Sequence, residues 1–428
     1  MDELVVEGRI YTSRGFLECS IGVTEGRITR VKKILRGEEK ERFPHSIILP
    51  AGIDIHVHFR EPGYTYKEDF ATGSVAAAYG GISCVFDMPN TNPPVTTANR
   101  LLEKKERVSR HSYIDFGLYS GVTKRNIAFL SRLAKLCSGF KIYLGETTSS
   151  TYLPMNLLDK VMMKLKDTGK PILFHAEDEE CLERNNRVER NLRDHLRARP
   201  LACEVKAVEG ILKHGGGVQH ICHVSSYEAL KILETKSDIS YGVTPHHALL
   251  NIDTPPKIES LFKTNPPIRG KMEQSKVFET LLRGRRGILE SDHAPHLIDE
   301  KKTVFNDAPS GVPGVETMYP LFLYLARRNV IPYHRVIKLL CENPGELMGV
   351  SKGKIIEGFD ADFIVVDYRD VKEVTIDILH SKCDWTPFEG FQAIFPTHLF
   401  LRGEPVIYDG ELVGFPGMGR YVEDFKSK

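Results

Sequence analysis

Apolar residues along this chain gather in short runs, and most of those runs end in a polar cluster. Eight stand out: "GIDIHVHF", "GISCVFDMP", "YIDFGLYSG", "GFKIYLG", "PILFHAE", "QHICHVS", "ISYGVTPHH" and "GILESDHAP". Their length and apolar character suit buried strands. Segments of helical pattern fall between or after them, among them "NRLLEKKERVSR", "LARRNVI" and "HRVIKLLCEN". Strand alternating with helix predicts parallel βα units, and eight such units close a barrel. The expected class is therefore α/β, a (β/α)8 TIM barrel. The two ends of the chain read differently. "ELVVEGRIYTS", "CSIGVTEGRITRVKK" and "HSIILP" at the start, and "GKIIEGFDADFIVVD" and "THLFLRGEPVIYDGELV" near the end, are short strands with turns. Neither set is long enough to stand alone. Residues 1–48 and 350–428 are expected to pair into a small β-sandwich-like domain formed by both chain termini, flanking a barrel over 49–349.

Composition narrows the class without changing that picture. A chain of 428 residues with 41% hydrophobic content can bury a core of this size. A formal net charge of +1 offers no basic field for nucleic acid. The start, "MDELVVEGRIYTS", lacks a basic and then apolar leader, and no long apolar run suggests a membrane span. The eight cysteines are scattered with no CxxC pair, which predicts reduced, mostly buried thiols in a cytoplasmic protein. The expected partner is a small-molecule substrate, with no nucleic acid and no membrane.

The polar residues that end the strand runs carry the chemistry. "HVHFR", "DMPNT", "FHAED", "CHVSS" and "SDHAPH" all follow apolar residues. In a barrel, the groups at the C-terminal ends of strands meet at one face. His56 and His58 are two apart, so on a strand they share a face. An isolated H-x-H is no better evidence for ligation than for two ordinary histidines. Joined by His175, His223 and Asp292 at three other strand ends, it becomes a set of imidazole and carboxylate donors that suits a borderline divalent ion such as zinc. Lys141 stands in the middle of an apolar strand, where an ammonium loses its hydration. Desolvation favours the neutral amine, and reaction with carbon dioxide would give a carbamate whose two oxygens bridge two metals. His56, His58, Lys141 and Asp292 are then expected on one ion, with Lys141, His175 and His223 on the other. A hydroxide shared by the two ions would be the nucleophile. Asp292, beside it, is the natural catalytic proton shuttle.

With these residues placed, the chain resembles the cyclic amidohydrolases, and within them the dihydroorotases. The likeness rests on "GIDIHVHFREPG", "DMPNTNPPVT", "GFKIYLGET", "FHAED", "ICHVSS", "TPHH", "TNPPIR" and "SDHAPH". "GFKIYL…ET" resembles the branch with a carbamylated lysine, as in the dihydroorotase part of the animal multifunctional pyrimidine enzyme. The resemblance implies two Zn2+ per subunit, bridged by carbamylated Lys141 and a hydroxide, and the reversible closure of N-carbamoyl-L-aspartate to L-dihydroorotate in pyrimidine biosynthesis. It also raises a homo-oligomer or an association with aspartate transcarbamoylase. One departure stands out. Animal-type sequences carry a glutamate before "V-x-PHH" where this chain has Gly242, so an extra metal site that needs that glutamate loses a donor, although Cys222 is kept.

The substrate is a small dianion with a ureido group. Arg60, two positions after His58, offers a planar fork that matches a carboxylate. By the resemblance, Asn90 helps Arg60 hold that carboxylate, Asn265 touches the ring and His296 completes the pocket. Thr147 and Thr148 in "GETTSS" form either a lid over substrate or an ordinary polar loop. His246 and His247 fit a supporting role at the barrel mouth, and Trp385 fits packing. A hydantoinase, dihydropyrimidinase or allantoinase would share the metal centre without needing Arg60, Asn90 and His296 together. A catalytically inactive structural relative would be expected to lose ligands, and here all six positions are filled.

Overall fold

The computed structural model describes residues 1–145 and 151–425. Four strands open the chain: β1 (Asp2–Thr12), β2 (Gly15–Thr24), β3 (Arg27–Lys32) and β4 (Gly37–Pro50). Eight more follow, each matching one expected run: β5 (Gly52–Val57), β6 (Ile82–Asp87), β7 (Asp115–Gly121), β8 (Gly139–Tyr143), β9 (Pro171–His175), β10 (Val218–Ile221), β11 (Ile239–Val243) and β12 (Gly287–Leu289). They pair in parallel in sequence order from β5 to β12. Closure comes from a parallel bridge between Val57 and His293, with the His58 amide donating to the His293 carbonyl at 2.8 Å. The strands are buried throughout apart from an intermediate Val218, as a sheet covered on both faces requires.

Six short strands complete the chain: β13 (Phe363–Val366), β14 (Lys372–Glu373), β15 (Gln392–Ala393), β16 (His398–Leu401), β17 (Glu404–Tyr408) and β18 (Glu411–Leu412). β14 and β15 form a separate pair, and the other four join the N-terminal strands in the order β18-β17-β16-β13-β4-β1-β2-β3. The two ends of the chain meet where β13 runs antiparallel to β4, from Phe363 opposite Pro50 to Val366 opposite Ile47. Only Ala51 separates β4 from β5. The strand that carries His56 is thereby anchored directly in the terminal sheet.

The helices follow local chemistry. Thr97 accepts from the Arg100 amide to cap Ala98–Val108, whose inward face is Leu101, Lys104 and Val108. The "LARRNVI" segment stays helical only to Arg327, and Asn329 then turns left-handed at φ 57°. "HRVIKLLCEN" is helical as expected but widens to a π-turn over Lys338–Glu342 before Asn343–Met348. Among the described residues no helix is long and apolar enough to cross a membrane.

One expectation fails. Cys181 and Cys203, read as free thiols, are joined in a disulfide. They lie on the adjacent helices Glu179–Asn185 and Leu201–Ile211, a juxtaposition made by helix packing that cysteine spacing does not reveal. The other six cysteines are free, five of them buried.

Candidate active site

Parallel strands deliver their C-terminal ends to one mouth, and the sequence-predicted ligands sit there. His56 lies in β5 and His58 just past it; Lys141 is central in β8; His175 ends β9; His223 and Asp292 follow β10 and β12. Three of the site residues hold the left-handed backbone that non-glycine residues avoid: Arg60 at φ 61°, His223 at φ 39° and Asp292 at φ 44°. Each such residue costs about 1–3 kcal/mol, which the surrounding packing must offset. The strain falls where side chains have to be aimed.

Aimed they are. His58 Nε2 lies 3.1 Å and His56 Nε2 3.3 Å from the same Asp292 Oδ1. His175 Nδ1 faces His223 Nε2 at 3.1 Å. The Lys141 ammonium, fully buried, donates to Cys222 Sγ at 3.0 Å and sits 5.3 Å from the centre of the Tyr143 ring. His56, His58, Lys141, His175, His223 and Asp292 line one cavity together with Arg60, Asn90, Tyr143 and Asn265.

The donor set fits a metal. Donor atoms of His56, His223 and Asp292 lie within 4.8 Å of one another, and among the described residues the buried Nδ1 of His223 has no hydrogen-bond partner. Burial, reinforced by the charge of Lys141, pushes His56 down to about 4. Burial, then the neighbouring His175 and Lys141, holds His223 well below the usual histidine range. Both imidazoles are thus neutral near pH 7, the form that ligates. Burial would raise the Asp292 carboxyl, but His56, His58 and His223 outweigh it and hold it well below the carboxylate range. Ionised carboxylate and neutral imidazoles converge on one point.

Behind these residues stands a ring of acceptors. His58 Nδ1–H donates to Asn90 Oδ1 at 2.8 Å, and His175 Nε2–H to Glu177 Oε2 at 2.8 Å, which Arg199 also grips. Glu290 Oε1 lies 3.3 Å from His56 Nδ1. Such partners set which imidazole nitrogen faces a metal. Sequence reading missed Glu177 and Glu290, whose only signal was a carboxylate two residues from a candidate ligand in "HAE" and "ESD". The departure at Gly242 also looks different in space. A Cβ there would lie 2.2 Å from the Glu290 carboxyl group, so the neighbouring strand fills the room that a side chain at 242 would need. The Glu290 carboxylate thereby comes within 4.8 Å of His56 and Cys222 donors.

On the substrate side, Arg60 is buried, with Nε donating to the Pro295 carbonyl at 3.2 Å and Nη2 3.1 Å from His296 Nε2. His296 contacts Arg60 and is not among the residues lining that cavity. Its Nδ1 accepts from Lys67 Nζ at 3.0 Å, and its carbonyl accepts from Trp385 Nε1–H at 2.8 Å. Trp385, read as packing, also braces this loop. Asn265 Oδ1 accepts from Ser310 Oγ at 3.2 Å. His247 Nε2–H donates to the Pro266 carbonyl at 3.1 Å and so anchors the loop carrying Asn265. His246 is buried beside it with Nε2 unpartnered among the described residues. Thr147 and Thr148 lie outside the described residues.

The chain belongs to the amidohydrolase family, whose profile matches residues 47–405. Solved structures share the fold: L-hydantoinase (dihydropyrimidinase) from Arthrobacter aurescens superposes with a TM-score of 0.94 at 24% identity, covering 99% of this chain and 100% of that one. Curated relatives narrow the place within the family. A dihydroorotase of Thermoplasma acidophilum is 39% identical over 97% of each chain, and one of Methanosarcina mazei is 37% identical over 97% of this chain and 96% of its own. The chain is a hydrolase of cyclic amides, placed among the dihydroorotases.

Proposed function

We propose that the chain catalyses the reversible, zinc-dependent cyclisation of N-carbamoyl-L-aspartate to L-dihydroorotate. The observation that supports this most is the single cavity that joins four histidines, Lys141 and Asp292 to the buried Arg60 fork. His56, His58 and Asp292 would hold one ion and His175 and His223 the second, with Lys141, once carbamylated, shared by both. When bound, the ions supply Lewis-acid polarisation of the ring carbonyl and activation of water.

The chain's own groups do the rest. Arg60 holds the substrate carboxylate through its planar fork, with Asn90 beside it, His296 behind it, and Asn265 at the ring. In ring opening, Asp292 takes a proton from the attacking water and passes it to the departing ring nitrogen. In closure it removes the ureido N–H proton and returns it to the leaving oxygen, which departs as hydroxide and becomes water on taking a second proton from solvent. Hydantoins and allantoin lack the carboxylate at this position and leave the buried Arg60 charge unmatched, which disfavours them.

The same reading puts the enzyme in the cytoplasm, as a homo-oligomer or in association with aspartate transcarbamoylase. It also takes 1–48 with 350–428 as one folding unit and 49–349 as the other. The test is direct: purify the protein, count zinc, and follow dihydroorotate formation and loss beside hydantoin and allantoin. About two zinc ions and a strong preference for dihydroorotate are expected; faster turnover of hydantoin would overturn the substrate. Lys141→Ala should strip at least one ion, and full occupancy by elemental analysis would refute the bridge.

A further inference from the structure

Glu290 is a fully buried carboxylate near the mouth, and the reaction scheme does not use it. It has no exposed surface. Its Oε1 accepts from the His223 backbone amide at 2.6 Å and lies 3.3 Å from His56 Nδ1, while Oε2 accepts from His220 Nε2–H at 3.1 Å. His220 is itself tied through Nδ1 to Ser240 Oγ at 2.8 Å. One side chain thus touches residues from two other barrel segments, β5 and β10 with the turn that follows it. The space it occupies exists because residue 242 is glycine. Gly242 is not among the left-handed residues, so its missing side chain serves room rather than backbone conformation.

We propose that Glu290 is a positioning residue: through the gap at Gly242 its carboxylate fixes His56 with Nε2 toward the metal side and pins the left-handed turn at His223. The inference rests on the reading that these histidines hold zinc. A carboxylate facing Nδ1 fixes the Nδ1–H tautomer and leaves the Nε2 lone pair free. The same oxygen accepting from the His223 amide offsets part of the cost of that residue's φ of 39°. Two ligands from different strands are therefore aligned by one group, and moving it should disturb both.

The experiment measures zinc affinity of the apo-protein against a chromogenic chelator, beside the apo melting temperature, kcat and KM. Glu290→Ala should weaken zinc binding about 10–100-fold. Glu290→Gln keeps an acceptor oxygen for both N–H groups and should recover most of that loss. Gly242→Ala should reproduce the loss by displacing Glu290, yet add little in the Glu290→Ala background, a non-additive cycle. A residue that merely fills space would lower the melting temperature and leave zinc affinity alone. Unchanged zinc affinity in Glu290→Ala, or an additive cycle, overturns the proposal. If Glu290→Ala does not fold, Gly242→Ala decides alone, and wild-type affinity there is equally fatal. Wild-type protein that binds no zinc would sink the parent reading; zinc-loaded wild type with an indifferent Glu290→Ala would sink only this one.

Discussion

The barrel carries buried charge at both ends, and the two clusters are built on opposite principles. At the N-terminal end, Lys352 Nζ sits 2.7 Å from Asp115, 2.9 Å from Asp360 and 2.7 Å from Asp362. Arg402 pairs with Asp115, and Arg27 lies 3.8 Å from Asp360. Burial alone would lower the Lys352 pKa, but its three aspartates hold it well above the lysine range. Three cations meet three anions, and every side chain there has found a partner inside the protein. Through this knot the terminal sheet is tied to the start of β7. At the other end, histidine nitrogens point at one another, the buried Nδ1 of His223 goes without a partner among the described residues, and two of the candidate ligands hold a left-handed backbone. A cluster that satisfies itself is built for stability. One left unsatisfied at a cost is built to be completed by something else.

The contrast can be broken from either side. Asp292→Ala should lower turnover of dihydroorotate by about 10²–10⁴-fold while the protein still melts cooperatively; appreciable residual activity would remove Asp292 from the proton path. Lys352→Met should do the reverse, leaving buried Asp115 and Asp362 and half-buried Asp360 without their shared cation and costing about 3–5 kcal/mol of stability in a denaturant titration. Its kcat/KM per folded molecule should match wild type, and a large loss there would mean the two ends are coupled. The smallest effect is expected at Trp385→Phe, which removes only the N–H donated to the His296 carbonyl. That bond is worth about 0.5–1.5 kcal/mol, so KM for dihydroorotate should rise a few-fold with kcat kept. No change in KM would make Trp385 packing after all.

Much of this was legible before any coordinates. Strand runs announce themselves because a sheet covered on both faces demands unbroken apolar segments, and all eight barrel strands fall on the expected runs. The ligand candidates were visible because they are polar residues where such runs end. Side chains that act through other residues were not legible. Nothing in "GILESDHAP" distinguishes Glu290, which reaches His56 and His220, from Ser291 beside it, whose hydroxyl contacts a backbone carbonyl. His296 shows the same limit: its place beside a ligand motif did not reveal its 3.1 Å contact with Arg60.

By itself, the sequence determined the alternation that makes a barrel, the pairing of its two ends into a sheet, and which residue types would face the mouth. Those follow from periodicity and local polarity, which are properties of neighbours along the chain. Tertiary structure alone decided that Cys181 meets Cys203, that Glu290 fills the gap at Gly242, and that Lys352 gathers three aspartates. Each joins groups 8 to 237 positions apart, or depends on a side chain crossing between strands. Distances of that kind are set by how elements pack, and no local pattern encodes them.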